Sequence, residues 1–141
     1  MSDTLDEQTH AAITQLTEAG DRLVEQRSYD QALDTYHQAL DLVPEPITDW
    51  EAATWILTAI GETQFFKKDF IKAREALQQA MHCPDAIGNP FIHLRLGQVQ
   101  FELGDLQRAR DELARAYMGA GDEIFDGEDP KYLALVRQAL K

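Results

Sequence analysis

The sequence predicts an all-α protein, an α-α superhelix (solenoid) of three antiparallel helix pairs followed by a C-terminal helix. Three observations favour this fold class: small and large residues recur in one pattern three times, a helix-start residue stands inside each copy, and an apolar stripe lies near the C-terminus. The length of 141 residues suits a single domain covering residues 1–141. The composition, with 44% hydrophobic and 27% charged residues, is that of a globular chain.

The internal repeat is built around three glycines, Gly20, Gly61 and Gly97. Large residues follow each glycine after nine and sixteen positions, and alanines follow after twelve and nineteen positions. The members of the pattern are Tyr29, Phe70 and Leu106; Ala32, Ala73 and Ala109; Tyr36, Leu77 and Leu113; and Ala39, Ala80 and Ala116. Because glycine inside a helix costs about 1 kcal/mol relative to alanine, three glycines at one register indicate that two helices approach closely in each copy.

Each copy divides into two helices at a residue that can cap the second one. Ser28, Asp69 and Asp105 stand at equivalent positions, where an oxygen can accept a hydrogen bond from the first turn of the helix. Ser28 and Gln31 also fit the capping-box pattern. The sequence therefore predicts second helices over about 29–43, 70–82 and 106–118.

The first helices of the later copies have their own start signals. Pro44 and Pro46 exclude a helix interior, and the segment from Thr48 to Glu51 reads as a capping box. Asn89 followed by Pro90 is typical of a helix N-cap and first helical position. The predicted first helices start at about residues 4–6, 49 and 89–90, and they end at about 27, 67 and 103.

These marks resemble the tetratricopeptide repeat, and the resemblance covers roughly residues 13 to 121. The small residue in the first helix, the residue before the second helix and the two spaced alanines sit where that family has them, and Pro44 stands at the family's proline position. The glycines lie 41 and 36 residues apart, whereas the family's unit is about 34. The resemblance implies repeats at about 13–46, 48–87 and 89–121, with a capping helix at about 130–140.

The resemblance also implies a concave groove, lined by the first helices, that binds a partner polypeptide. The residues implied to line this groove are Thr17, Asp21, Glu25, Trp55, Thr58, Glu62, Phe65, Phe91, Arg95, Gln98 and Phe101. Arg95 is then the main basic residue of the groove, and Trp55 is expected to be exposed. The phenylalanines either anchor a partner or pack between neighbouring first helices. We expect Trp55→Ala and Phe101→Ala to weaken partner binding and to leave stability nearly unchanged.

Some members of the family clamp the C-terminal carboxylate of a chaperone with Lys, Asn and Arg. The corresponding residues here are Thr17, Asp21, Ala59, Phe91 and Arg95, of which only Arg95 fits, and Asp21 would repel the ligand. The expected partner is instead a protein or peptide segment that is apolar with basic flanks.

Charge narrows the classes of function further. The chain has 13 Lys and Arg against 25 Asp and Glu, for a net charge of −12, which disfavours binding to nucleic acid or to an anionic membrane. No apolar run is long enough for a membrane span, and the first residues do not resemble a secretory signal. A cytoplasmic location is therefore expected. A single cysteine, Cys83, excludes an internal disulfide.

No catalytic residue, cofactor or metal site is predicted. His82 and Cys83 are adjacent in sequence and so point apart in a helix, and Cys83 reads as a small buried hydrophobe. His93 is interpreted as a core histidine, with a pH-sensing role as the alternative. The acidic segment 119–129 lacks the spacing of a calcium loop, and it is predicted to be a solvated loop; an ion site or a contact for a basic partner are the alternatives.

The last helix carries an apolar stripe of Tyr132, Leu133, Leu135, Val136 and Leu140. It is predicted to cap the array, and the alternative is that it docks on a partner or pairs two copies as a homodimer. Two functional classes remain open. One is an adaptor module that holds a protein in a larger assembly; the other is a dedicated acidic inhibitor, such as an immunity protein, or a secretion chaperone that sequesters one basic client.

Overall fold

The computed structural model describes residues 5–139, and seven α-helices form the framework of this part of the chain. Their bounds are α1 Glu7–Glu25, α2 Tyr29–Asp41, α3 Glu51–Phe66, α4 Phe70–Ala80, α5 Pro90–Glu102, α6 Leu106–Ala120 and α7 Pro130–Ala139. Two short 3₁₀ helices, Ile47–Asp49 and Asp122–Phe125, precede α3 and α7. Residue 4, at the beginning of the predicted start 4–6, and Leu140 of the apolar stripe lie outside the described residues, and Asp6 is the N-cap residue of α1.

The helices pack as consecutive pairs, α1 with α2, α3 with α4 and α5 with α6. The two helices of each pair are joined by three residues, so they run antiparallel. Contacts of α2 with α3 and of α4 with α5 join the pairs into one array, and α7 packs on α6 at its end. The predicted all-α solenoid of three helix pairs and a C-terminal helix is confirmed.

The repeat glycines lie where the two helices of each pair meet. A Cβ atom on Gly20 would stand 2.5 Å from Cε1 of Tyr36, and one on Gly61 would stand 2.5 Å from Cγ of Leu77. One on Gly97 would stand 2.7 Å from Cγ of Leu113. Carbon atoms in favourable contact are about 3.5–4.0 Å apart, so any side chain at these positions would force the facing side chain or its helix to shift. The close approach predicted from the glycines is confirmed.

The helix caps follow the sequence at three of the predicted positions. The carboxylates of Asp69 and Asp105 accept backbone N–H bonds from three residues further on, at 3.2 and 3.3 Å. Asn89 accepts from the N–H of Phe91 at 2.9 Å, with Pro90 as the first helical residue. These bonds satisfy donors that the first turn of a helix leaves without a partner.

Two predicted capping boxes are wrong. Ser28 stands at the N-cap of α2 but makes no side-chain capping bond, so its pairing with Gln31 is not formed. Thr48 lies within the 3₁₀ helix Ile47–Asp49, and Trp50 becomes the N-cap residue of α3 without a side-chain bond. In the second case the start of α3 moves two residues later than the predicted position.

Helix α5 is the most enclosed helix of the array. Every residue of α5 from Ile92 to Gln100 is buried, because α3, α4 and α6 all contact this helix. The apolar face of α7 covers the end of the array and buries Tyr132, Leu135 and Val136. This burial agrees with the capping interpretation of α7. None of the described helices has the length and apolar character needed to cross a membrane.

Candidate functional site

The residues predicted to line a binding groove lie on the first helices α1, α3 and α5, mostly at positions three or four residues apart on one helix face. On α1, Asp21 and Glu25 are exposed and Thr17 is half-buried. On α3, Trp55 is exposed as predicted, with 45% of its surface accessible, and its Nε1 donates to Glu51 of the same helix at 3.3 Å. The N-terminal half of the groove thus combines accessible carboxylates with an accessible indole ring.

Three of the predicted groove residues are buried: Thr58, Gln98 and Arg95, which is described below. The hydroxyl of Thr58 donates to the backbone carbonyl of Thr54 at 2.7 Å, and Gln98 has no accessible surface. In this conformation neither side chain presents a surface to a partner.

Tyr36 connects the core of the first pair to the groove surface. Its ring packs against Gly20, and its hydroxyl donates to Oδ1 of Asp21 at 2.6 Å. Burial, together with the neighbouring Asp21 carboxylate, raises the pKa of Tyr36. Sequence reasoning missed this residue as part of the site, although the signal was present: the other two copies have Leu77 and Leu113, which lack a hydroxyl, at this position.

Arg95 is not the accessible basic residue that the sequence predicted. Its side chain is only 9% exposed, and Nε donates to Oε2 of Glu62 at 2.7 Å. Nη1 donates to Oε1 of Gln98 at 2.9 Å and to Oε1 of Glu128 at 2.5 Å. The Arg95 guanidinium is therefore paired with two carboxylates of the same chain, and its positive charge does not face a partner.

Aromatic rings enclose the same guanidinium. Its Cζ atom lies 5.0 Å from the ring centroid of Phe91 and 5.7 Å from the centroids of both Phe65 and Phe66. These are distances at which a cation is attracted to the face of an aromatic ring. Phe65 and Phe91 are half-buried, which corresponds to the alternative that they pack between neighbouring first helices.

Four carboxylates of the acidic segment after α6, those of Asp122, Glu123, Asp126 and Asp129, are exposed as predicted, but its part around Phe125 folds against α5. Phe125 of the 3₁₀ helix is buried, and its carbonyl accepts the N–H of Glu128 at 3.0 Å. Gly127 adopts a φ of +80°, which favours glycine. The turn brings Glu128 to the buried side chains of Arg95 and Gln98 on α5, which together we call the groove floor. Gln98 Nε2 donates to Oε1 of Glu128 at 2.7 Å. Sequence reasoning missed Glu128, since it lies 33 residues from Arg95.

The C-terminal end of the groove is covered by α7. Phe101 is half-buried, and its ring meets that of Tyr132 edge to face, with 5.3 Å between centroids. Lys131 Nζ donates to Glu102 at 3.1 Å and lies 5.3 Å from the Phe101 centroid. Phe101 therefore takes part in docking α7.

His93 lies outside the groove, between α5 and α6. Its Nδ1 meets the carboxylate of Glu112, and its Nε2 meets the carbonyl of Ile87 at 2.5 Å. Both partners are acceptors, so both bonds form only when the imidazole carries two protons. The Glu112 carboxylate raises the pKa of His93 despite burial, which acts in the opposite direction.

The remaining reactive groups show no catalytic arrangement within the described part of the chain. Cys83 is buried, and burial raises the pKa of its thiol, which disfavours the nucleophilic thiolate. Residues 5–139 contain no group of three or more His, Cys, Asp or Glu positioned to hold a metal ion. What the groove residues offer chemically is hydrogen bonding, charge and aromatic contact.

Comparison with known proteins shows the fold. No protein-family model matches the sequence, and no curated protein matches it. Among solved structures, the first TPR domain of Spaghetti (RPAP3) bound to the HSP90 peptide SRMEEVD is similar, with a TM-score of 0.72, 22% identity, and coverage of 96% of this chain and 98% of that one. The C-terminal TPR-containing domain of a Plasmodium falciparum FK506-binding protein has a TM-score of 0.73 and 16% identity, covering 98% and 92% of the two chains.

The TPR domain of Sgt2 from Aspergillus fumigatus is also similar, with a TM-score of 0.67 and 18% identity over 99% of this chain and 81% of that one. The chain therefore has the tetratricopeptide-repeat fold that the repeat pattern resembles.

Proposed function

We propose that this tetratricopeptide-repeat domain is a non-catalytic, cytoplasmic interaction module whose concave groove binds an apolar polypeptide segment with basic flanks. The observation that carries the proposal is the charge of the groove. Asp21 and Glu25 are exposed, whereas Arg95 is buried between Glu62 and Glu128. A basic segment would meet accessible carboxylates, and an acidic one would meet like charge.

Exposed aromatic side chains on α3 support the proposal that the partner segment is apolar. Trp55 is 45% exposed and Phe66 is 37% exposed, both on α3 in the middle of the array. Tryptophan side chains are over-represented among the residues that dominate binding energy at protein interfaces. Trp55 is therefore the proposed anchor, and Thr17, Asp21 and Glu25 of α1 are the proposed polar contacts for the same partner.

The peptide bound to the RPAP3 neighbour, SRMEEVD, carries acidic residues. The groove of this chain favours the opposite charge class, because Arg95 already has two carboxylate partners. Lys131 also pairs with Glu102 at the end of the groove. We propose that this domain uses the same fold for a partner of different chemistry.

A dedicated inhibitor, immunity protein or secretion chaperone is the second candidate, and the net charge of −12 favours it. A strongly acidic protein attracts a basic client over a long range and speeds their encounter. In this candidate function one client would occupy the groove at a fixed stoichiometry. An adaptor would instead bind several proteins.

The proposal is tested by purifying the protein with its partners from the native host and measuring association at increasing salt. One stoichiometric basic partner would support the inhibitor or chaperone, and several partners would support the adaptor. The association rate should fall by about tenfold or more between low and high salt. Partners that are acidic throughout, or a rate that salt leaves unchanged, would overturn the proposed charge preference.

A double variant with a matched control locates the interaction. Glu25 belongs to the predicted groove, and Glu18 lies two turns before it on the same face of α1. Glu18→Lys with Glu25→Lys reverses these two exposed charges, and it should slow association by about tenfold. Asp34→Lys with Glu75→Lys makes the same charge change at exposed positions of the second helices α2 and α4. Equal slowing in both variants would mean that net charge matters and the groove does not.

A further inference from the structure

We infer that Arg95 and Gln98 form a carboxylate-binding site on the groove floor that the chain fills with its own Glu128. Glu128 is then an internal competitor that keeps carboxylates of other molecules out of the groove. This inference deepens the proposed function and rests on it for one consequence, namely that Glu128 contributes to the preference for basic partners.

The donors of the site converge on a single oxygen. Arg95 Nη1 and Gln98 Nε2 both donate to Oε1 of Glu128, at 2.5 and 2.7 Å. The Gln98 carbonyl oxygen accepts from Arg95 Nη1 at 2.9 Å, which turns the amide nitrogen toward the carboxylate. Both donor side chains are more than nine-tenths buried. Charge-assisted bonds of this kind are stronger than bonds between neutral groups.

The donors keep their positions by contacts that do not involve Glu128. Arg95 Nε is held by Glu62 of α3 at 2.7 Å, and the guanidinium lies over the ring of Phe91. Gln98 stands one turn after Arg95 on α5, the most enclosed helix. The site is therefore preorganised, and it should persist when its occupant leaves.

The occupant is less firmly held than the donors. Glu128 lies between the two helical elements Asp122–Phe125 and α7, and 20% of its side chain is accessible. Its described side-chain bonds all use Oε1. Rotation of this one side chain would expose the donors while Phe125 stays buried beneath the turn.

Charge explains why the site excludes other carboxylates while Glu128 is present. Arg95 brings one positive charge, and Glu62 and Glu128 bring two negative charges. A third carboxylate would find no matching cation and would be repelled. When Glu128 is absent, Arg95 and Glu62 form a neutral pair, and one small carboxylate returns the cluster to the single negative charge that it has in the native protein.

Chemical rescue tests the inference with acetate as the probe. Glu128→Ala empties the site and should lower the melting temperature by several degrees. Sodium acetate should then raise it again by about 4 °C at about ten times the acetate Kd, relative to sodium chloride at the same ionic strength. The control is Glu123→Ala, which removes an exposed carboxylate from the same segment; this variant and the wild type should melt equally in both salts.

The direct readout is the NMR signal of the Arg95 Nε–H group during an acetate titration. It should shift saturably in Glu128→Ala, and at least tenfold more acetate should be needed in the wild type. If Glu128→Ala does not fold, Glu128→Ser, whose short side chain also leaves the site open, is titrated in its place. A variant that folds but shows no acetate-specific rescue or shift overturns the inference, and so does equal binding by the wild type.

The test separates this inference from the proposed function, because acetate alone is the ligand and no partner protein is needed. If acetate stabilises Glu128→Ala but salt does not change the rate of partner association, the carboxylate site is supported and the proposal of a basic partner is rejected. If association depends on salt but acetate does not stabilise Glu128→Ala, the proposal of a basic partner is supported and the role of Glu128 is rejected.

Discussion

Tyr36 of α2 donates its hydroxyl proton to Asp21 of α1 at 2.6 Å, while its ring fills the space left by Gly20. One side chain thereby packs the two helices of the first pair together and fixes a carboxylate at the groove. In the other pairs, Leu77 and Leu113 make only the packing contact.

Tyr36→Phe should lower the free energy of unfolding by about 1 kcal/mol, because it removes one hydrogen bond and keeps the ring. Urea denaturation measures this change. Tyr29→Phe is the control, since Tyr29 packs on Phe66 and its hydroxyl makes no described hydrogen bond. An equal loss in both variants would show that the bond to Asp21 contributes nothing specific.

Gly61→Ala should destabilise the protein by about 1–2 kcal/mol, because the added methyl group would lie 2.5 Å from Cγ of Leu77. Alanine favours a helix over glycine, so the steric cost must exceed that gain. A Cβ on Gly88 would meet no atom within 4 Å, and Gly88→Ala should leave the urea midpoint nearly unchanged. A normal midpoint for Gly61→Ala would refute the close approach of α3 and α4.

Trp55→Ala and Phe101→Ala should differ in their effects on stability. Trp55 is exposed, so its loss should cost less than about 0.5 kcal/mol of unfolding free energy while weakening partner binding by about 2 kcal/mol. Phe101 packs on Tyr132, so its loss should cost about 1–3 kcal/mol. This corrects the expectation that both changes spare stability. Thermal melts and binding measured on the same samples check the contrast.

The stability contributed by His93 should depend on pH. Its pKa is raised in the folded protein, chiefly by the carboxylate of Glu112 and against the opposing charge of Arg115. The contribution is therefore complete below the unfolded pKa of about 6.5, and it is lost as the pH rises through the folded value. Glu112→Gln should flatten this decline in urea titrations, whereas His37→Asn, at an exposed site, should retain it.

The helix caps should separate into two groups. Asp69→Ala and Asp105→Ala each remove an acceptor of a backbone N–H bond, and each should cost about 1 kcal/mol. Ser28→Ala removes no such bond and should cost distinctly less. Equal losses in all three variants would mean that the residue type at the cap matters more than the bond observed there.

Much of the fold could be predicted because its determinants are local and repeated. Gly61 and Leu77 lie sixteen residues apart on two helices of one pair, and the same pairing recurs in the other two copies. The capping boxes were less predictable, because a matching pair of residue types does not fix the backbone. At Thr48 the chain forms a 3₁₀ helix instead.

The groove was predictable in its position and less so in its chemistry. Spacing around the glycines indicated that Trp55 is exposed, which is a property of one helix face. The state of Arg95 depends on Glu62 and Glu128, each 33 residues away in opposite directions along the chain. The residue pattern within one repeat cannot predict these contacts, because Glu62 lies on α3 of the preceding pair and Glu128 lies between α6 and α7.

The enclosure of α5 has a consequence for how the molecule comes apart. Nine successive residues, Ile92 to Gln100, are shielded on all sides, while α1 and α7 each leave one flank in water. Local unfolding that starts at either end of the array disrupts the packing of α1 and α2, or of α7, before it reaches α5. Its amide protons should consequently exchange with deuterium only through global unfolding. We therefore expect α5 to be the last helix of the array to lose its structure.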